Sequence, residues 1–129
     1  MWWTFTLAKK TSTTQREKAL ALWLNSTLGF LVLLANREET EGAWIDFKKP
    51  VLAALPTLDL DSLSPDQLNQ LSDAYDELAH EELQPFPHMH TDKVRAGIDK
   101  AIAKTLHLLD FSILRTLLAQ EPVVCLKRL

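Results

Sequence analysis

The sequence predicts an α+β chain, predominantly helical, with one central buried helix, two short N-terminal strands and two or three C-terminal amphipathic helices. Three observations carry that prediction. Residues 19–35 form an apolar run interrupted only by Asn25, Ser26, Thr27 and Gly29. Two short stretches, Trp2 to Ala8 and Ala43 to Phe47, mix aromatic and polar residues in alternation, the period of a strand. Beyond Pro56, apolar residues recur at helical spacing. A length of 129 residues suits one domain, residues 1–129. Within it, 1–56 reads as a strand–helix–strand unit and 57–129 as a helical unit.

The elements follow in order. "WWTFTLA" is the first strand, and "KKTSTTQ" is a polar turn. Thr13 or Thr14 can cap a helix running to about Asn36, with Arg16, Glu17 and Lys18 in its first turns. "REETEG" is a loop, and "AWIDFKK" alternates as a short strand. Pro50 opens a short helix that Pro56 stops. "SPDQ" is a strong start signal: Ser64 as N-cap, Pro65 at the first helical position and Gln67 completing a capping box. Leu68, Leu71, Tyr75, Leu78 and Ala79 share one face of that helix, which should end near Leu83 before two prolines. A further helix starts at Thr91 or Asp92, with Val94, Ile98, Ala101, Ile102 and Leu106 inward, and a last one starts at Asp110.

The apolar run covers 17 residues, the short end of what a bilayer requires, and its polar interruption favours a core helix over a membrane span. The composition, 47% hydrophobic and 24% charged, is that of an ordinary globular protein. A lone cysteine, Cys125, excludes an internal disulfide framework, and "MWWTFTLAKK" lacks the basic start of a secretory signal. The expectation is a cytoplasmic protein with no membrane role.

Charge is distributed unevenly along the chain. Residues 1–37 hold five Lys/Arg against one acid; 57–92 hold nine acids and no Lys or Arg; 93–129 hold seven Lys/Arg against three acids. Basic flanks attract phosphate and an acidic middle repels it, although most single charges serve only to solvate a helix face.

No glycine-rich phosphate loop, paired CxxC or nucleophile elbow is present. "HEELQPFPHMH" places His80, Glu81, Glu82, His88 and His90 close in sequence, but the spacing matches no closed zinc site, so no metal is expected. Asp73, Asp76 and Glu77 read as a solvated acidic face, because nothing nearby would raise a carboxyl pKa. Trp23 belongs to the core; Trp2, Trp3 and Trp44 either pack or stack on unpaired bases.

"LALWLNSTLGFLVLL" followed by "EGAWIDFKKPVLAALPTLDL" resembles the C-terminal target-recognition region of adenine-specific DNA methyltransferases of restriction–modification systems, and more distantly the specificity subunits of type I restriction enzymes. The positions carrying the likeness are Leu24, Asn25, Ser26, Gly42, Trp44, Phe47, Leu52, Leu55 and Pro56. Near the C-terminus, Arg95, Ile98 and Asp99, with Leu106 and Leu108, are similar to the tail of such enzymes. The family's Asn/Asp-Pro-Pro-aromatic tetrapeptide and its S-adenosylmethionine loop are missing.

The resemblance implies a non-catalytic module that contributes to DNA target recognition or to docking on the catalytic domain. It implies no cofactor in this chain, with S-adenosylmethionine held by the parent enzyme's catalytic domain. DNA and that catalytic domain are the expected partners. Lys9, Lys10, Arg37, Lys48 and Lys49 are the candidate phosphate contacts. Asn25, Ser26, Gly42 and Trp44 are structural, Asn25 and Ser26 pinning the loop or strand of Arg37 to Lys49 onto the apolar helix. The alternative is a helical protein–protein interaction domain with no nucleic-acid role.

Overall fold

A computed structural model of the chain describes residues 13–36, 38–39, 45–46 and 56–121. Five α-helices occur among them: α1 (Thr14–Leu24), α2 (Thr27–Ala35), α3 (Pro65–Leu78), α4 (Lys93–Leu106) and α5 (Ser112–Ala119). Two 3₁₀ segments, Leu60–Ser62 and Phe86–Thr91, precede α3 and α4.

The start signals behave as their chemistry requires. The Thr13 hydroxyl accepts from the Arg16 N–H and caps α1. Ser64 and Gln67 form a reciprocal capping box with Pro65 in the first turn of α3. Asp92 accepts from the N–H groups of Val94 and Arg95 and caps α4. His107 closes α4 in the left-handed conformation, φ 56° and ψ 44°, an uncommon geometry for a side chain with a Cβ.

The α+β class is corrected. Among the described residues the secondary structure is dominantly helical. Extended structure is confined to a two-residue antiparallel bridge, β1 (Glu38–Glu39) with β2 (Ile45–Asp46), which is no β layer. The buried apolar side chains of the described helices, 3₁₀ segments and adjoining turns make up the described core. Trp2 to Ala8 and the proposed helix after Pro50 lie outside the described residues.

The single central helix is corrected too. The run 19–35 is two helices bent by 68° at Asn25–Ser26. Ser26 stops the first and starts the second. Its backbone is extended, and its hydroxyl accepts from the Gly29 N–H as the N-cap of α2. Asn25 ends α1, its amide donating to the Ala21 carbonyl over 2.8 Å. Gly29 permits the bend, because a Cβ there would lie 2.4 Å from the Trp23 carbonyl oxygen.

Two apolar clusters result. The larger gathers Ala19, Leu20, Leu22 and Trp23 of α1 with Leu71 of α3, Ile98 and Ile102 of α4, and Leu60, Leu83 and Phe111. The smaller joins Phe30 and Leu34 of α2, Met89 of the second 3₁₀ segment, and Leu118 and Ala119 of α5. α1 packs mainly on α3 and α3 on α4, whereas α5 packs on the second 3₁₀ segment and α2. The Gln67 side-chain amide donates to the Thr105 carbonyl at 3.1 Å and ties α3 to the end of α4.

Candidate functional site

The break between α1 and α2 is the polar centre of the molecule. Thr27 is fully buried there, and its N–H donates to Asp99 Oδ1 at 2.7 Å. Its hydroxyl donates to Asp99 Oδ2. Asp99 thus caps α2 from a different helix, where the aligned peptide dipoles favour a carboxylate. Arg115 of α5 donates through Nη1 to the same Oδ2 at 2.6 Å. Asp99 is 2% exposed and Arg115 8%, so this is a buried ion pair fixing three helices at one point.

A second buried cation lies beside the first. Arg95 Nη1 donates to the Asn25 carbonyl at 3.4 Å, at the end of α1. Its guanidinium sits 5.2 Å from the centre of the Phe86 ring, and Phe86 stacks on Phe30 with centroids 4.2 Å apart. Arg95 Nε lies 3.7 Å from Asp92 Oδ2. Burial pushes the Arg95 pKa below its ordinary value, opposed by the neighbouring carboxylates of Asp92 and Asp99. Asp92 also accepts from the Gln84 N–H at 2.8 Å and so holds the segment leading into α4. Two carboxylates and two guanidiniums leave the cluster formally neutral, which is how buried charge is tolerated.

This geometry is scaffolding. The carboxylate oxygens of Asp99 are taken up by Thr27 and Arg115. His80, His88 and His90 belong to no group of three or more potential metal ligands among the described residues.

The outer surface offers two features. Among the described residues sixteen Asp and Glu stand against seven Lys and Arg, a formal charge of −9. Of the seven cations, Arg95 and Arg115 are buried, and Arg16 and Lys18 are paired with Asp61 and Asp76. The exposed acids among the described residues repel a phosphate backbone there, within a chain whose formal charge is −3. The other feature is apolar. Leu109 is 89% exposed and Ile113 76%, with Leu108 and Leu117 beside them in sequence on and before α5. A shallow depression lined by Ser112, Ile113, Thr116 and Leu117 lies there.

Of the residues singled out from the sequence, Asn25 and Ser26 are buried at the break, and within the described residues both side chains donate to carbonyls of α1, those of Ala21 and Trp23. These two bonds terminate α1, and the segment from Arg37 to Lys49 that the pair is expected to pin lies largely outside the described residues. Lys9, Lys10, Arg37, Lys48, Lys49, Gly42 and Trp44 lie outside the described residues. The joint role of Thr27, Asp92 and Arg115 is not foreseen from the sequence. Its one available signal is that Asp99 stands next to the inward Ile98 within the pattern of α4.

Comparison with known protein families, with curated proteins and with solved structures gives no match to this chain.

Proposed function

We propose that the chain is a non-catalytic module of an adenine-specific DNA methyltransferase, contributing to DNA target recognition or to docking on the catalytic domain. The observation that carries this reading is the meeting of its two sequence motifs. The "LNS" step at Leu24–Ser26 and the Arg-x-x-Ile-Asp step at Arg95–Asp99 are some seventy residues apart, yet Arg95 donates to the Asn25 carbonyl and Asp99 caps the helix that Ser26 begins. Motifs chosen for their likeness to one family thus form a single buried joint, as parts of one inherited framework would.

The joint is structural, so recognition falls to other residues. The described helical body is acidic and belongs away from phosphate. DNA contacts are assigned instead to Lys9, Lys10, Arg37, Lys48 and Lys49, which all lie outside it. S-adenosylmethionine and the chemical step belong to the catalytic domain of the parent enzyme.

Fluorescence anisotropy with duplex DNA tests this at several salt concentrations, starting near about 20 mM, where weak phosphate binding is easiest to detect. Weak binding that falls with salt is expected. Lys48→Ala with Lys49→Ala should flatten the salt dependence by roughly one unit of slope for each phosphate that is no longer neutralised. Absence of any binding at the lowest salt would overturn the DNA assignment. The second reading, a protein interaction domain with no nucleic-acid role, would then stand on the acidic body and the exposed Leu109, Ile113 and Leu117.

A further inference from the structure

We propose that α5 is a latch that opens and melts as a unit while α1, α3 and α4 stay folded, with the Arg115–Asp99 pair setting how often it opens. This inference does not depend on the DNA assignment. Among the described residues two unequal fastenings hold α5. One is the smaller apolar cluster, where Leu118 and Ala119 meet Phe30, Leu34 and Met89 with Leu114 at its margin. The other is the buried pair of Arg115 with Asp99.

The pair is the weaker kind of fastening. When α5 lifts, both ions regain water, and that hydration offsets most of the attraction between them. The larger cluster has no such weakness, being built from α1, α3 and α4 side chains and their adjoining turns. The face on which Leu118, Ala119 and Arg115 of α5 meet Phe30, Met89 and Asp99 is therefore the easiest place for the molecule to part.

The approach to α5 suits a hinge. His107 to Asp110 are exposed, and His107 holds a left-handed conformation. Phe111 is buried in the larger cluster and anchors the hinge on the side that stays closed. α5 has eight residues, below the length at which an isolated helix persists in water, so an opened α5 loses its helix. Opening uncovers Phe30, Met89 and the Asp99 carboxylate.

Hydrogen exchange of the full chain, followed residue by residue at low urea concentrations, tests the latch. The amides of residues 115–119 should exchange on the order of 100-fold faster than the slowest amides of α3 and α4, with little dependence on urea. Arg115→Met keeps the apolar bulk and strands Asp99 without its cation. It should speed α5 exchange by a further factor on the order of 100 and change α3 and α4 only a few-fold. Arg115→Lys should restore most of the protection. The proposal is overturned if α5 in the parent chain exchanges at the rate and with the urea dependence of α3 and α4. It is equally overturned if Arg115→Met accelerates all helices alike. Should that variant fail to fold, the urea dependence of the parent chain decides alone.

Discussion

Replacing Gly29 with alanine puts a methyl group where α1 and α2 come closest. The new Cβ would stand 2.4 Å from the Trp23 carbonyl oxygen and 2.7 Å from both the Cα and the carbonyl oxygen of Leu24. Ordinary contact begins at 3.4 Å, so the first of these must open by about 1 Å. All three atoms are backbone, and no side chain can rotate away. Overpacking of this kind costs about 1–3 kcal/mol. The Trp23 oxygen also accepts from the Ser26 N–H at 3.0 Å and from the Ser26 hydroxyl. Moving it strains bonds worth roughly 1 kcal/mol each. Against this, alanine gains about 1 kcal/mol of helix propensity over glycine. The balance is a loss of about 2 kcal/mol, which at this chain length lowers Tm by roughly 6–12 °C. Urea and thermal unfolding followed by circular dichroism measure it. Gly97→Ala is the internal control. Its Cβ meets only the methyls of Leu78, at 3.4 and 3.6 Å, so propensity should win and stability should rise by up to about 1 kcal/mol. If Gly29→Ala proves as stable as the parent, or Gly97→Ala the more damaging of the two, the steric account of the bend is wrong.

Asp99→Ala removes the cap of Thr27 and the partner of buried Arg115 together, and urea unfolding should show a loss of about 3–5 kcal/mol. Ser64→Ala breaks the capping box of α3 and should cost about 1 kcal/mol in the same assay. His107→Gly relieves a left-handed residue and should raise Tm by a few degrees, corresponding to about 0.5–1 kcal/mol. The Ser112 hydroxyl, followed by the Ser112 N–H, holds the Asp110 carboxyl below the ordinary aspartate range. A carboxyl lowered on folding stabilises above its unfolded value, near about 4, and that support disappears as pH falls through the lowered value. Amide shifts of Ser112 to Arg115 in an NMR titration should therefore move below pH about 4, and Asp110→Asn should abolish the movement. Titration calorimetry with S-adenosylmethionine should give no binding heat, and micromolar binding would contradict the absence of a cofactor loop.

Local chemistry was the legible part of this fold. The caps at Thr13, Ser64 and Asp92 and the helices they open follow from side chains reaching N–H groups two or three residues away. The break at Asn25–Ser26 was present in the sequence as a capping residue ahead of an apolar run. It was overridden by the hydropathy of its surroundings, which is the same whether one helix or two bury it. α3 ends at Leu78 rather than near Leu83, with Ala79 as its C-cap still donating to the Tyr75 carbonyl. The buried joint was the illegible part. Arg115 meets Asp99 from another helix, and no periodicity announces a partner sixteen residues away. The motif residues Arg95 and Asp99 carried no mark of being buried, since charged residues on a helix are ordinarily solvated.

The shared carboxylate of Asp99 also constrains how this chain can vary through time. Thr27 and Arg115 both bond the Asp99 carboxylate, so losing Asp99 or Arg115 leaves a buried charge unanswered. A lone replacement of Arg115 or Asp99 strands a buried charge, whereas exchanging all three for well-packed apolar residues leaves only the Thr27 N–H without its acceptor. Their effects on stability should then be strongly non-additive, with the triple replacement milder than the worst single one. Positions 27, 99 and 115 form an inherited unit in that sense: among descendants of this sequence they should be kept together or replaced together, while the exposed acids of α3 drift one at a time.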